Sequence, residues 1–346
     1  LYKNTVDLNV AVGGCALICQ TTGGCNTAMG YHAMMKNCDG IKNVGIGAQV
    51  MCAGSGGDYN TAVGYQANRL LTTGASNSLF GYQAMYYNTT GDGNLAIGAS
   101  SLYSNITGGC QTAIGNGALY RSNCTGFNTA VGYQTLYDQI TGAGSTALGF
   151  RALYEANATG NTAVGHDSQR NTTFGTYNDS FGKNTLRTNT IGHNNVAMGS
   201  NSLYSLTEGT GNAALGFYAL KANTTGCYNV GSGLYAGCNN TDGDCNVFHG
   251  YAAGRYLANG STALTSPDNS TYIGACTRGA AVGDNNVTVI GHCACACGDN
   301  TVSIGNANVT ATHINGNLIL PDIPTSDPGV ANALWNDSGT LKVSSG

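Results

Sequence analysis

Asn60-Thr61-Ala62-Val63-Gly64-Tyr65-Gln66-Ala67 is the stretch on which the fold turns, because it comes back. Patterns of the same form end at Gly13, Gly30, Gly47, Gly64, Gly81, Gly98, Gly115, Gly132 and Gly149, each 17 residues after the last. The series continues at Gly165, Gly182, Gly199, Gly216, Gly233 and Gly250, losing one residue once. A fixed period this short marks a solenoid or array, in which one small unit is copied and stacked on its neighbours.

With each anchor glycine as position zero, the chain resolves into columns. The residue before the glycine is aliphatic or aromatic, as in Val63, Ile97, Ile114 and Val131, and is expected to form the core column. Two before it stands alanine (Ala62, Ala96, Ala113, Ala130), and three after it alanine again (Ala67, Ala84, Ala118). Leu or Met follows at plus four, and plus five is Tyr86, Tyr103, Tyr120, Tyr137 and Tyr154 in five successive repeats. A polar turn comes next, with AsnThrThrGly at Asn88 and again at Asn223, residues that supply turn hydrogen bonds and a positive φ.

Seventeen residues cannot hold two packed helices, and Gly, Asn, Thr and Val are poor helix formers, so helical repeats are excluded. Short β-branched runs bounded by Gly and Asn turns read as strands. The expectation is an all-β, parallel β-solenoid (β-roll) with one 17-residue coil per repeat. Each residue then stacks on its counterpart in the next coil, giving aliphatic, alanine, tyrosine and asparagine ladders about 4.8 Å apart. The structural ladder set is Val63, Gly64, Ile97, Gly98, Ile114, Gly115, Val131, Gly132, Tyr103, Tyr120 and Tyr137. Apolar residues occur in both strand parities, so one face lines the coil and the other needs cover; rods associating side by side about a common axis would provide it.

Composition narrows the function. Only 9% of the 346 residues are charged, against about 25% in ordinary domains, and 53 are glycine. Disorder has no reason to keep such a phase. Thirteen scattered basic residues and a net charge of −4 exclude a concentrated phosphate-binding face, so no nucleic acid is expected. No run of about 18 apolar residues occurs, so no membrane insertion is expected. The chain does not begin with Met; Leu1, Tyr2 and Lys3 look like the second half of a repeat, which suggests a piece of a longer or processed protein.

The units NTAVGYQA (60–67), LYSNITGG (102–109) and LYEANATGNTAVG (153–165) resemble repeats of bacteriophage tail-fibre and related virion fibre proteins, and more distantly the coils of trimeric autotransporter adhesin heads. The segment from Leu320 to Val343 looks like the closing segment of many phage structural proteins. The resemblance implies a trimeric fibre, extracellular or on a virion surface, that mediates attachment to a host glycan or receptor. The coils are longer than the adhesin repeats and richer in cysteine, so the cross-section need not be the same.

Three parts are expected: regular repeats over 1–250, irregular coils with an inserted loop over 251–310, and a C-terminal cap or junction over 311–346. The spacing from Gly250 to Gly274 is 24, and the insertion, Leu257 to Ser270 with Ala258, Asn259 and Pro267, is the candidate recognition loop. Three of the four prolines fall between Pro321 and Pro328, where the solenoid must stop, and Trp335 is expected to pack there.

Of 14 cysteines, Cys276 and Cys293 stand one repeat apart in one phase and form a candidate disulfide, although most cysteines read as small ladder residues. In Cys293-Ala294-Cys295-Ala296-Cys297 a strand would set the thiols on one side, too far apart to share a metal. Sequons such as Asn88, Asn105 and Asn223 coincide with turn composition. The six histidines have no phased nucleophile, and Asp242 with Asp244 is the nearest approach to a carboxylate pair, so no enzyme, metal or cofactor is expected. The readings carried forward are a virion fibre shaft and, as the alternative, a self-assembling extracellular filament or cell-surface adhesin. An ice-binding surface on Thr27, Thr61, Thr129 and Thr162 is weaker, because Val44, Ser78 and Leu95 break the column.

Overall fold

A computed structural model describes residues 8–123, 126–315, 323–329, 333–338 and 340–345. The repeat-like Leu1 to Lys3 and the run Asn317 to Pro321 lie outside the described residues. Eighteen three-residue strands, from Val10–Val12 to Val302–Ile304, form one parallel sheet. Register follows the repeat: Thr61 lies opposite Ser78, Ala62 opposite Leu79 and Val63 opposite Phe80. The irregular coils keep this register, since Thr162 still pairs with Thr146 across the 16-residue step and Val247 with Thr271 across the 24-residue step. The chain is thus an all-β parallel solenoid with coils of about 17 residues, and no described helix is long and apolar enough to cross a membrane.

Each coil is one short strand followed by tight turns whose peptides bond to the coils on either side. In the coil of Gly64 the Gln66 N–H donates back to the Ala48 carbonyl (3.0 Å), while the Asn68 N–H donates forward to Ala84 (2.9 Å). The alternation is produced by left-handed residues: Tyr59, Gln66 and Asn68 have φ of 57°, 54° and 49°. Even leucine takes this conformation, at Leu102, Leu119 and Leu136. A left-handed non-glycine residue costs about 1–2 kcal/mol, and the stacking offsets that cost with inter-coil hydrogen bonds and a buried side chain worth about 1.5–3 kcal/mol. The anchor glycine permits no side chain. At Gly98, with φ +128°, a Cβ would stand 2.5 Å from the Gly115 carbonyl oxygen.

The interior is built from the alanine two before the glycine, the alanine three after it, and the Leu or Met at plus four. Ala147 is fully buried, but Leu148 beside it is 47% exposed. The aliphatic column, expected from the sequence to be the core, therefore lies outside it. Val63, Ile114 and Val131 are half-buried and Ile97 is exposed, all on the outer sheet face. The reason is alternation from the buried residue, usually asparagine, that precedes each strand: Asn60 and Ala62 point in, so Thr61 and Val63 point out. Thr27, Thr61, Thr129 and Thr162 share that outer face.

The asparagine ladder is the polar spine of the interior. The Asn77 N–H donates to Asn60 Oδ1 (3.0 Å), and Asn60 Nδ2 donates to the Gly74 carbonyl (2.9 Å). The same pair of bonds recurs at Asn43, Asn195 and Asn212.

The chain divides into two units, 1–306 and 307–346. In the second, Leu334–Asp337 pairs antiparallel with Thr340–Val343. Lys342 pairs with Asp337 and sits 5.4 Å above the Trp335 ring, which is half-buried.

Candidate functional surfaces

Two columns after the anchor glycine share one flank of the coil. At plus two, Gln66 Nε2 donates to Gln49 Oε1 (2.7 Å) and Gln83 Nε2 to Gln66 Oε1 (2.8 Å), a glutamine ladder. At plus five the tyrosines stack as their spacing predicts. Ring centroids are 5.5 Å apart for Tyr86–Tyr103, 5.0 Å for Tyr103–Tyr120, 4.9 Å for Tyr120–Tyr137 and 5.2 Å for Tyr137–Tyr154. Cations cap the stack: Arg69 lies 5.6 Å over Tyr86 and Arg170 5.7 Å over Tyr154. Burial, with neighbouring hydroxyls second, pushes the Tyr103 and Tyr137 phenols up.

Beyond the stack, arginine replaces tyrosine in the plus-five column and a charged cluster forms. Asp167, nearly buried, lies 3.4 Å from Arg151, 3.8 Å from Arg170 and 4.0 Å from Arg187, with His166 at 3.3 Å. Arg187 also donates to the Tyr204 hydroxyl (2.9 Å). One carboxylate holds three guanidiniums in adjacent coils, an arrangement suited to tying coils together.

Further on, the flank becomes concave. A hollow of about 350 Å³ is lined by residues that include Tyr218, Lys221, Tyr235, Asn239 and Arg255. A second, of about 190 Å³, adjoins it across Arg255 and includes Tyr251, Tyr256 and Arg278. Sequence reasoning passed over these residues. The signal that could have found them is the plus-five phase itself, in which Lys221 and Arg255 follow Arg170, Arg187 and Tyr204.

The inserted loop closes one end of this region. Tyr256 bridges antiparallel to Ala263, and Tyr256–Leu257 pairs with Arg278–Gly279 of the next coil. Ala258 and Asn259 are exposed at the tip, where Asn259 Oδ1 accepts the N–H groups of Ser261 and Thr262 (3.0 and 2.9 Å). Leu257 packs partly buried against the core. Pro267 is not a loop-tip residue: it is buried, and its carbonyl accepts from Asn246 Nδ2 as the glycine carbonyls of other coils do. The seven extra residues are thus spent before Pro267, and the wall resumes there.

Cys276 and Cys293 are free thiols in adjacent coils, both at the left-handed plus-two position (φ 57° and 53°). Burial first, and neighbouring Cys293 second, pushes the Cys276 thiol up. Cys293, Cys295 and Cys297 do not share one strand face, because Cys293 falls on the turn after Gly291 and only Cys295 makes a bridge, to Arg278. Among the described residues no three His, Cys, Asp or Glu side chains could hold a metal ion. Asn88, Asn105 and Asn223 are fully buried, and each donates to a glycine carbonyl three residues on, so these sequons face inward. Asp242 takes hydrogen bonds from Ser266 (2.5 Å) and Thr241 (2.8 Å), which hold its carboxyl below the usual range.

No protein-family model matches this chain, and no curated protein matches it.

Proposed function

We propose that the chain is the shaft of an extracellular or virion-surface fibre that self-associates side by side and carries a host-attachment function. The observation that supports it is the outer sheet face. The outward third position of the strands carries an apolar stripe that includes Met29, Ile46, Phe80, Ile97, Leu148 and Leu215 and is interrupted at Ser232 and His249. From Val12 to Leu215 the stripe is unbroken over thirteen strands, about 58 Å at the inter-strand spacing, beside a column in which threonine is the commonest residue. Contiguous exposed apolar surface of this kind marks an interaction surface. A homotrimer closes such a stripe on itself.

The test pairs sedimentation analysis with electron microscopy of the purified chain. Discrete rods of defined copy number are expected, and Ile97→Lys with Ile114→Lys should yield monomers that keep the β circular dichroism spectrum. A wild type that stays monomeric at tens of micromolar would refute the reading.

A second reading, an extracellular filament or adhesin assembled end to end, draws on the strands at the two sheet ends. Val10–Val12 and Val302–Ile304 each pair on one side only among the described residues, leaving edges that another chain could extend. Filaments of unlimited length in the same images would favour it.

A further inference from the structure

We propose that the cationic groove centred on Arg255 is a binding site for a carboxylate-bearing saccharide. The proposal concerns the isolated coil surface and holds whether or not the chain forms fibres. Three positive side chains meet along the two hollows: Lys221 in the larger, Arg278 in the smaller, and Arg255 shared by both. Among the described residues no carboxylate lines either hollow, and no ion pair uses these three cations. The contrast lies on the same flank, where Asp167 answers Arg151, Arg170 and Arg187. Burial pushes the Cys238 and Cys276 thiols up, so neither supplies a thiolate countercharge at neutral pH. In a chain with net charge −4 and 13 basic residues, three unmatched cations in one groove are a local departure that an anionic ligand would balance.

Geometry narrows the anion. The Arg255 guanidinium carbon lies 4.4 Å from the Tyr235 ring centre and 4.8 Å from that of Tyr256, so two aromatic rings hold it in place. A planar fork fixed in this way suits the two oxygens of a carboxylate. Lys221 stands 4.6 Å over Tyr218, and Arg278 donates to the Ala258 carbonyl of the inserted loop (3.1 Å), so the flanking charges are positioned as well. The exposed ring of Tyr251 offers an apolar face for the C–H side of a pyranose ring, and the larger hollow is at the small end of ligand pockets, sized for one or two sugar units.

The experiment is calorimetric titration of the full chain at low salt with a tetragalacturonate, with the neutral galactose oligomer of the same length, and with inorganic phosphate. The uronate is expected to bind, the neutral oligomer not, and affinity should fall as salt screens the charges. Lys221→Gln with Arg278→Gln should weaken binding by about tenfold or more with an unchanged melting temperature. Arg255→Lys keeps the charge but loses the fork, and should weaken it as well. Absence of uronate binding, equal binding of the neutral oligomer, phosphate binding as tightly as the uronate, or a double variant with wild-type affinity would each overturn the proposal.

Discussion

Asn60 shows how much one side chain does in a coil this thin. It accepts from the backbone of one neighbouring coil and donates to the carbonyl of Gly74, both without access to water. Asn60→Ala orphans two buried backbone groups at about 1–3 kcal/mol each, whereas Asn60→Ser should cost less, because Ser145 already fills this phase and its hydroxyl accepts from the Asn161 N–H (3.3 Å). Urea unfolding of the two variants measures the difference. Tyr272 makes a different residue-scale prediction. Its hydroxyl donates to Asp284 Oδ2 (2.9 Å), and burial first, then that carboxylate, raises the phenol far above its usual range. The folded chain therefore keeps a proton that the unfolded chain loses near pH 10. Its contribution is whole below that pH and is lost above it, by up to about 1.4 kcal/mol per pH unit. Melting between pH 8 and 11 should show this slope, and Tyr272→Phe should flatten it, since Asp284 still accepts from the Ala280 and Ala281 N–H groups.

At the scale of one coil, the interior holds a near-constant volume that different residues divide. The commonest coil puts alanine in the strand and leucine at plus four, as in Ala130 and Leu136. Around Phe248 the roles reverse. The ring occupies the strand position, and Gly237 and Gly254 stand at plus four; a Cβ on Gly237 would lie 2.4 Å from the ring. Phe248→Ala alone should leave a cavity and cost about 3–5 kcal/mol. Adding Gly237→Leu restores the common arrangement, and thermal melts should show recovery of at least half the loss. A double variant no more stable than Phe248→Ala would show that the two positions do not share one space. The swap cannot be read along the chain, because the partners lie 11 residues apart and meet only across the coil.

Along the whole first unit, the hydrophobic interior is not continuous. One cluster runs from Ala16 to Ala163 and a second from Leu186 to Ala296. The coils between them bury Ser168, Gln169, Ser180 and Thr185, with Ser168 Oγ 2.6 Å from Ser180 Oγ and Gln169 Nε2 donating to the Thr162 and Asn178 carbonyls (2.9 Å each). This follows directly on the one coil that is a residue short. Stability in stacked repeats is a sum of nearest-neighbour terms, so a polar joint is where cooperativity breaks. Hydrogen exchange should report two protection levels that change across residues 165–185. Gln169→Leu with Ser168→Ala, Ser180→Ala and Thr185→Ala should merge them, and a single level in the wild type would refute the joint.

The repeat of Asn60 to Ala67 determined the stacking by itself. Residues 17 apart with the same side chains satisfy the same backbone groups, so period, parallel register, the asparagine and tyrosine ladders and the absence of helical repeats were all legible. Which parity faced inward was not, since both are apolar and the choice rests on left-handed turn residues such as Gln66 and Leu136, which carry no sequence signature of their own. The same holds for Pro267 returning to the wall, for the bend that separates Cys293 from Cys295, and for the groove at Arg255. Each depends on where the next coil lies, and neighbouring coils bring together groups that the sequence leaves apart.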